Sequence, residues 1–79
     1  MTRRGRGGAH LVFVLEFLVF SGDGRRVIEK VTHRAKSVDQ ARRYAASIMK
    51  NIVIDDRRAD LCEVKDQMGN ILAVVPAPP

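Results

Sequence analysis

The sequence predicts an α+β fold in which four strands and one helix follow each other in the order ββαββ. A Val- and Phe-rich apolar run at residues 10–20 ends in a glycine-containing turn, a helix-capping sequence at residues 37–40 precedes an amphipathic helical pattern, and two further alternating segments flank a turn at Gly69. Hairpins on both sides of one helix give a two-layer sandwich, a four-stranded and mainly antiparallel sheet with the helix on one face.

The first strand is predicted from residues 10–20, of which nine of eleven are apolar. The run is about half as long as the ~20 residues that cross a bilayer, and Glu16 lies in its middle. The turn that follows, at residues 21–24, has two glycines that adopt positive φ easily, and it lacks the small-residue cleavage pattern of a secretory signal. We therefore expect a sheet strand in a cytoplasmic protein with no membrane segment.

The 79 residues and their net charge of +5 describe one small basic domain. We expect the domain to extend from residue 10 to residue 76, between a disordered basic arm at 1–9 and a disordered tail at 77–79. The arm carries a charge of +3, and residues 25–43 carry seven basic side chains against two acidic ones. Such a local basic field favours an anionic partner.

The second strand is predicted from residues 25–36, and its register follows from charge. Glu16 opposite Lys30 is a favourable cross-strand pair, whereas a slip by one residue would place Glu16 opposite Glu29. This register also pairs Leu18 with Ile28 and Val14 with Thr32, and it leaves residues 21–25 as the loop.

The predicted hairpin has two unlike faces. The face toward the helix carries Leu11, Phe13, Leu15, Phe17, Val19, Val27, Val31, His33 and Ala35. The apolar residues of the opposite face are too many for a monomer surface, so we expect a homodimer interface formed by Val12, Val14, Leu18, Phe20 and Ile28. The same face carries a basic ridge, which we expect to contact nucleic-acid phosphates together with the arm through Arg3, Arg4, Arg6, Arg26, Lys30, Arg34 and Lys36.

The helix is predicted to begin after a capping box in which Ser37 accepts from the third helical amide and Gln40 reaches back. Its apolar stripe consists of Val38, Ala41, Ala45, Ile48, Met49 and Ile52. Tyr44 borders this stripe, and we expect its ring to pack and its hydroxyl to stay hydrated rather than the ring to stack on a base. The charged run at residues 55–58 is interpreted as a surface loop rather than an acid/base or metal site.

A second hairpin is predicted from residues 60–66 and 70–75. Gly69 supplies the left-handed residue of a type I turn, and Pro76 is expected to end the ladder. Cys62 and Val64 would face the helix, opposite either Leu72 and Val74 or Ile71, Ala73 and Val75. The register and the order in which the two hairpins join remain open. Cys62, the single cysteine, is expected to be a small buried apolar residue.

The segment at residues 64–76, with the helix and charged loop before it, resembles the C-terminal half of small uncharacterised bacterial proteins of ββαββ order. The resemblance covers about half the chain, and the Arg/Gly arm departs from it. Because that family has no assigned activity, the resemblance implies the order of the elements and no catalytic role.

The function classes follow from what the sequence contains. It has no phosphate-binding loop, dinucleotide fingerprint, Ser/His/Asp set or metal-ligand spacing, and one helix excludes helix-turn-helix recognition. We therefore expect a binding or assembly module, homodimeric through its sheet, with neither catalytic activity nor a cofactor or metal. The alternative is a nucleic-acid-binding protein, and an acidic protein is a further possible partner. An enzyme built on Glu29 and His33 is the third class, but a buried histidine that makes one hydrogen bond explains His33 more simply.

Overall fold

The computed structural model describes residues 10–22 and 24–78. It contains one helix, a four-stranded antiparallel sheet and a small two-stranded sheet. The strands are β1 (Leu11–Ser21), β2 (Gly24–Ala35), β3 (Val53–Ile54), β4 (Arg57–Arg58), β5 (Leu61–Lys65) and β6 (Ile71–Pro76), and the helix is α1 (Val38–Met49). The predicted α+β class and the four-stranded antiparallel sheet are confirmed, while the predicted arm at residues 1–9 lies outside the described residues.

The four-stranded sheet has the order β2-β1-β5-β6. The two hairpins therefore join through their first strands, which settles the order that the sequence left open. The long apolar strand β1 lies in the middle and pairs with β2 on one side and β5 on the other. Consequently β2 and β6 are the two edges of the sheet.

The register of the first hairpin is as predicted over most of its length and then shifts. Glu16 lies opposite Lys30 and Val14 opposite Thr32, which confirms the charge argument. A β-bulge after the Phe17–Glu29 pair leaves Ile28 unpaired and places Leu18 opposite Val27, so the predicted Leu18–Ile28 pair is wrong. Pairing then continues to Ser21 and Gly24, and the loop is shorter than the predicted residues 21–25.

The bulge inverts which residues of β2 face the helix. One extra residue reverses the alternation of a strand, because successive side chains point to opposite faces. Ile28, assigned from the sequence to the face away from the helix, packs against the core instead. Val27, assigned to the helix face, is exposed opposite Leu18, and Arg26 lies opposite the buried Val19. The predicted faces of these three residues are therefore wrong.

The helix forms as its capping sequence predicts. The Ser37 hydroxyl accepts a hydrogen bond from the Gln40 amide at 3.2 Å, and the Gln40 side chain accepts from the Lys36 amide at 2.9 Å. The predicted apolar stripe packs against the sheet, where one cluster of buried side chains comprises Phe13, Leu15, Phe17, Ala35, Ala41, Ala45, Met49, Ala59, Cys62, Val64 and Val75. Val38, Ile48 and Ile52 pack on its margin.

The second hairpin adopts one of the two registers that the sequence allowed. Cys62 lies opposite Val75 and Val64 opposite Ala73, with a bulge before Lys65 pairs with Ile71. Gly69 has the predicted positive φ, at 92°. The strand includes Pro76 and the Ala77 amide donates to the Asp60 carbonyl at 3.1 Å, so Pro76 does not end the ladder. Its missing N–H is tolerated because β6 is an edge strand.

The charged run at residues 55–58 is part of a small hairpin rather than a plain loop. Val53 pairs with Arg58 and Ile54 with Arg57. Asp55 and Asp56 connect the strands with φ of 53° and 63°, the left-handed conformation that both central residues of a type I′ turn require. The turn places Arg57 beside the end of β1.

Candidate functional site

Charged side chains gather at the centre of the outer face, the sheet face that points away from α1. Glu16 on β1 and Glu63 on β5 are directly opposite each other. Lys65 lies between them, with its Nζ 2.9 Å from Glu16 Oε1 and 3.7 Å from Glu63 Oε1. The Lys65 ammonium group thus forms ion pairs with both carboxylates, which would otherwise repel each other.

Two side chains of β2 complete this arrangement. Lys30 Nζ lies 3.7 Å from Glu16 Oε2. Arg25 Nη1 donates to Glu63 Oε2 at 2.5 Å, and because β1 lies between β2 and β5, the Arg25 side chain must cross β1 to do so. We call Glu16, Arg25, Lys30, Glu63 and Lys65 the central charge cluster.

The electrostatics of the cluster stabilise its charged forms. The hydrogen bond from Lys65 holds the pKa of Glu16 below its ordinary value, and the same bond raises the pKa of Lys65. Glu63 is only 3% exposed, and its Oε1 makes no hydrogen bond. A buried carboxylate is costly without cationic neighbours, and Arg25 and Lys65 supply them to Glu63. The cluster joins three strands and contains no activated nucleophile.

The predicted dimer patch is smaller than the sequence suggests. Leu18 is on the outer face, but it is buried within the protomer, with only 2% of its surface exposed. Ile28 lies on the other side of the sheet. Val12 and Val14 are half-buried, which leaves Phe20 as the one exposed member of the predicted set. The central charge cluster also interrupts the patch, so the outer face is not a continuous apolar surface.

The predicted basic ridge is divided in a similar way. Lys30 is paired with Glu16, and Arg26 lies on the opposite side of the strand from Lys30 because of the bulge. Arg34 and Lys36 remain exposed at the end of β2 and make no ion pair with any residue in the described part of the chain. Arg3, Arg4 and Arg6 lie outside the described residues. The binding roles of all these residues stay predictions.

The two sheet edges differ sharply in chemistry. Along β2, the Glu29 carboxylate accepts from the Lys30 amide at 3.0 Å, and the charged Lys30 and Arg34 side chains border the edge. Such charges, together with a bulge, discourage a further strand from pairing. β6 has no charged residue, and Ile71, Leu72 and Val74 are all exposed.

Two side chains, Arg57 on β4 and Asp60 shortly after it, form hydrogen bonds with the end of β1. The Asp60 carboxylate accepts from the Phe20 amide at 2.6 Å, and Arg57 donates to the Phe20 carbonyl at 3.1 Å. The Asp60 amide donates to the Leu18 carbonyl at 2.7 Å. Asp60 and Arg57 therefore replace the main-chain partners that β1 lacks beyond β5. A cavity of about 410 Å³ lies beside them at the β1–β2 turn, lined by Phe20, Ser21, Gly22, Gly24 and Arg25.

Tyr44 packs on a residue that the sequence did not indicate. Its ring stacks on that of His33, with the ring centroids 3.8 Å apart and the planes 4° from parallel. Tyr44 is 37% exposed and His33 is half-buried. The expected packing role of Tyr44 is thus met by an aromatic pair at the junction of α1 and the β2 edge.

Neither a metal-ligand cluster nor a membrane-spanning helix occurs in the described residues. No group of three or more His, Cys, Asp or Glu side chains suited to a metal occurs within residues 10–22 and 24–78. The helix in the described part of the chain is too short and polar to cross a membrane. Burial raises the pKa of Cys62 to about 12, which disfavours the reactive thiolate.

Sequence reasoning missed Glu63, Lys65 and Arg25 as partners of Glu16. The alternation of Glu63 and Lys65 on β5 was a usable signal, because it places both side chains on one face. Arg25 could not be predicted as a member of the cluster, since only the bulge brings it to the outer face.

Comparison of the chain with protein-family models, curated proteins and solved structures finds no match.

Proposed function

We propose that the protein is a small assembly module that forms a homodimer by pairing β6 with β6 of a second copy. Each protomer would be a two-layer sandwich, and the pair would share one continuous eight-stranded sheet. The observation that carries the proposal is that the β6 edge is exposed and uncharged, whereas the opposite edge, β2, is bordered by charged side chains. Unprotected edges of this kind are templates for strand addition.

The main-chain groups of β6 support this mode of pairing. The Ala77 amide donates to the Asp60 carbonyl on β5. Because N–H and C=O groups alternate between the two sides of a strand, Ala73 and Val75 also point toward β5, and Val74 points to the free edge. A two-fold axis at Val74 would let its amide and carbonyl exchange hydrogen bonds with the partner copy's Val74.

The composition of β6 favours a second copy as the partner. A two-fold axis places each residue of the strand against the same strand in reverse, so any charge on β6 would face a like charge nearby. From Asn70 to Pro78 the sequence has no charged residue. Ile71, Leu72 and Val74 would gain apolar contacts across the new pair.

A face-to-face dimer is less favourable on the same evidence. Stacking two outer faces would bury the central charge cluster of both copies, and desolvation of charged groups costs several kcal/mol per ion. Edge pairing leaves the exposed side chains of the cluster, Arg25 and Lys30, in water. An edge contact is also small, so we expect weak association, with a dissociation constant in the micromolar range.

Sedimentation velocity over a series of concentrations up to about 100 µM tests the proposal in the expected affinity range. The wild type should shift from monomer to dimer. Val74→Lys, which adds a charge to the edge, should remain monomeric, while Val53→Lys should dimerise as the wild type does. Val53 is a matched control because it is a 46% exposed valine on β3, against 51% for Val74. A wild type that is monomeric at every concentration would overturn the proposal.

A further inference from the structure

The Arg25 side chain crosses the outer face diagonally. Arg25, on β2, lies opposite Phe20 of β1. Its hydrogen-bond partner Glu63, on β5, lies opposite Glu16 of β1. On the outer face of β1, Leu18 lies between Phe20 and Glu16, because side chains on one face of a strand are two residues apart. The path from Arg25 to Glu63 therefore passes over Leu18.

This crossing explains why Leu18 is buried on the sheet face that points away from α1. Leu18 is 2% exposed, whereas Phe20, the next residue on the same face, is 49% exposed. The methylene groups of an arginine pack on apolar surface while its guanidinium group stays with a polar partner. Val27 and Leu61 lie opposite Leu18 on its two sides. We call Leu18, Val27 and Leu61 the apolar floor, and the Arg25 stem lies across it.

The carboxylate beside the apolar floor has an unused acceptor. Glu63 is 3% exposed, and its Oε2 accepts from Arg25, but its Oε1 accepts no hydrogen bond from any residue that the structure describes. Lys65 Nζ is 3.7 Å from Oε1 and donates to Glu16 instead, at 2.9 Å. A guanidinium group can donate two parallel hydrogen bonds to one carboxylate. Arg25 supplies one of them, so Glu63 retains capacity for a guanidinium group that reaches both oxygens.

We propose that Glu63 and the apolar floor form a guanidinium-binding pocket, which Arg25 occupies in the free chain and which an arginine side chain of a partner protein takes by displacing Arg25. The contact of Arg25 itself shows that a guanidinium group with its methylene stem fits this pocket. The Arg25 side chain is 52% exposed, and solvent weakens an ion pair in which one partner is so exposed. Arg25 can therefore turn into water when a second guanidinium group binds.

The chemistry of the pocket selects arginine over other cations. A lysine ammonium group is a point charge, which cannot form the planar two-bond contact with a carboxylate. The net charge of +5 disfavours non-specific binding of any cation to this protein, so a cation that binds must gain from specific contacts. The pocket does not depend on dimer formation, because pairing at the β6 edge leaves the outer face open.

Arg25→Ala empties the pocket and gives the most direct test. The probe is N-acetyl-arginine methylamide, and NMR of the Leu18 methyl groups follows its binding. The methyl groups of Leu11, which is exposed at the other end of β1, are the reference. We expect a saturable shift at Leu18 with a dissociation constant of about 1 mM, as for a ligand of this size. N-acetyl-lysine methylamide should bind more weakly.

Three further proteins locate the binding. Arg25→Ala/Glu63→Gln lacks the carboxylate and should show no saturable shift at Leu18. The wild type should bind about tenfold more weakly than Arg25→Ala, because the probe competes with a tethered guanidinium group at an effective concentration of about 10 mM. Arg26→Ala is the matched control, since it removes the neighbouring arginine and leaves Arg25 in place. It should bind as the wild type does.

The same titration of the wild type tests the displacement. The Nε–H signal of Arg25 should move toward the position of a solvated arginine as the Leu18 methyl groups shift. A shift at Leu18 with an unchanged Arg25 signal would overturn the displacement of Arg25 by the probe.

Three results would overturn the pocket itself. One is the absence of a saturable shift at Leu18 in Arg25→Ala up to about 50 mM probe, well above the expected dissociation constant. Another is equal affinity of Arg25→Ala and Arg25→Ala/Glu63→Gln, with circular dichroism to verify that both variants are folded. The third is equal affinity of Arg25→Ala for the arginine and lysine probes, which tests the site without the double variant.

Discussion

Replacement of Glu63 by Gln tests the central charge cluster, because it removes the charge and keeps the size of the side chain. A hydrogen bond to a charged group contributes about 1.5–3 kcal/mol to stability. Glu63 is buried, but half of the Arg25 side chain is exposed to solvent, which reduces the worth of their pair to about 1–2 kcal/mol. Loss of the charge also relieves the repulsion from Glu16, by about 0.2–1 kcal/mol. We expect Glu63→Gln to lower the free energy of unfolding by about 1 kcal/mol.

A double-mutant cycle measures how much of this loss in unfolding free energy comes from the interaction between Arg25 and Glu63. Urea unfolding of the wild type, Arg25→Gln, Glu63→Gln and the double variant should give a coupling energy of about 1 kcal/mol. Lys30 is the control, because it contacts Glu16 and not Glu63. The cycle of Lys30→Gln with Glu63→Gln should give a coupling energy below about 0.3 kcal/mol. Equal coupling in the two cycles would refute the assignment of Arg25 to Glu63.

Three further predictions concern the end of β1, the Asp-Asp turn and acid stability. Asp60→Ala removes the acceptor of the Phe20 amide and should cost about 1 kcal/mol in urea unfolding, with a smaller loss for Asp60→Asn; no loss would contradict the capping role. Asp56→Gly relieves the positive φ and should raise the unfolding free energy by about 0.5 kcal/mol, whereas Asp56→Ala should lower it. Lys65 lowers the pKa of Glu16 in the folded state, so Glu16 stabilises the fold above its unfolded pKa of 4.5, and this stability is lost as the pH falls through the folded pKa. The urea midpoint of Glu16→Gln should therefore depend less on pH below 5 than that of the wild type, and an unchanged dependence would contradict the pairing.

Much of the fold follows from local rules. The capping box at Ser37, the stripe around Ala41 and Ala45, and the left-handed Gly69 are each specified by a few neighbouring residues. The pair of Glu16 and Lys30 is specified in the same way, since the competing register places like charges together. These features depend little on the rest of the chain, which is why the sequence predicts them.

The remaining features depend on long-range packing. The bulge at Ile28 forms where an extra residue reaches the core, and nothing in the local alternation predicts it. The join of the two hairpins through β1 and β5 brings Glu63 beside Glu16, so the central charge cluster exists only once the strand order is known. The turn at Asp55 and Asp56 lacks the glycine that normally indicates a type I′ hairpin.

The proposed dimer would protect one particular main-chain amide from solvent, that of Val74. Val74 N–H points to the free edge of β6 and would be covered only by a second copy. Thr32 provides the control, because it lies opposite Val14 on the other edge strand and is exposed. The alternation of β2 points its amide away from β1, to an edge that we expect to stay free.

Amide hydrogen exchange followed by NMR, from about 10 µM to 1 mM protein, measures both groups in one sample across the range of weak association. We predict that exchange at Val74 slows as the concentration rises, while exchange at Thr32 is unchanged. Fast exchange at Val74 across the whole range, or equal slowing at Val74 and Thr32, would contradict assembly through β6.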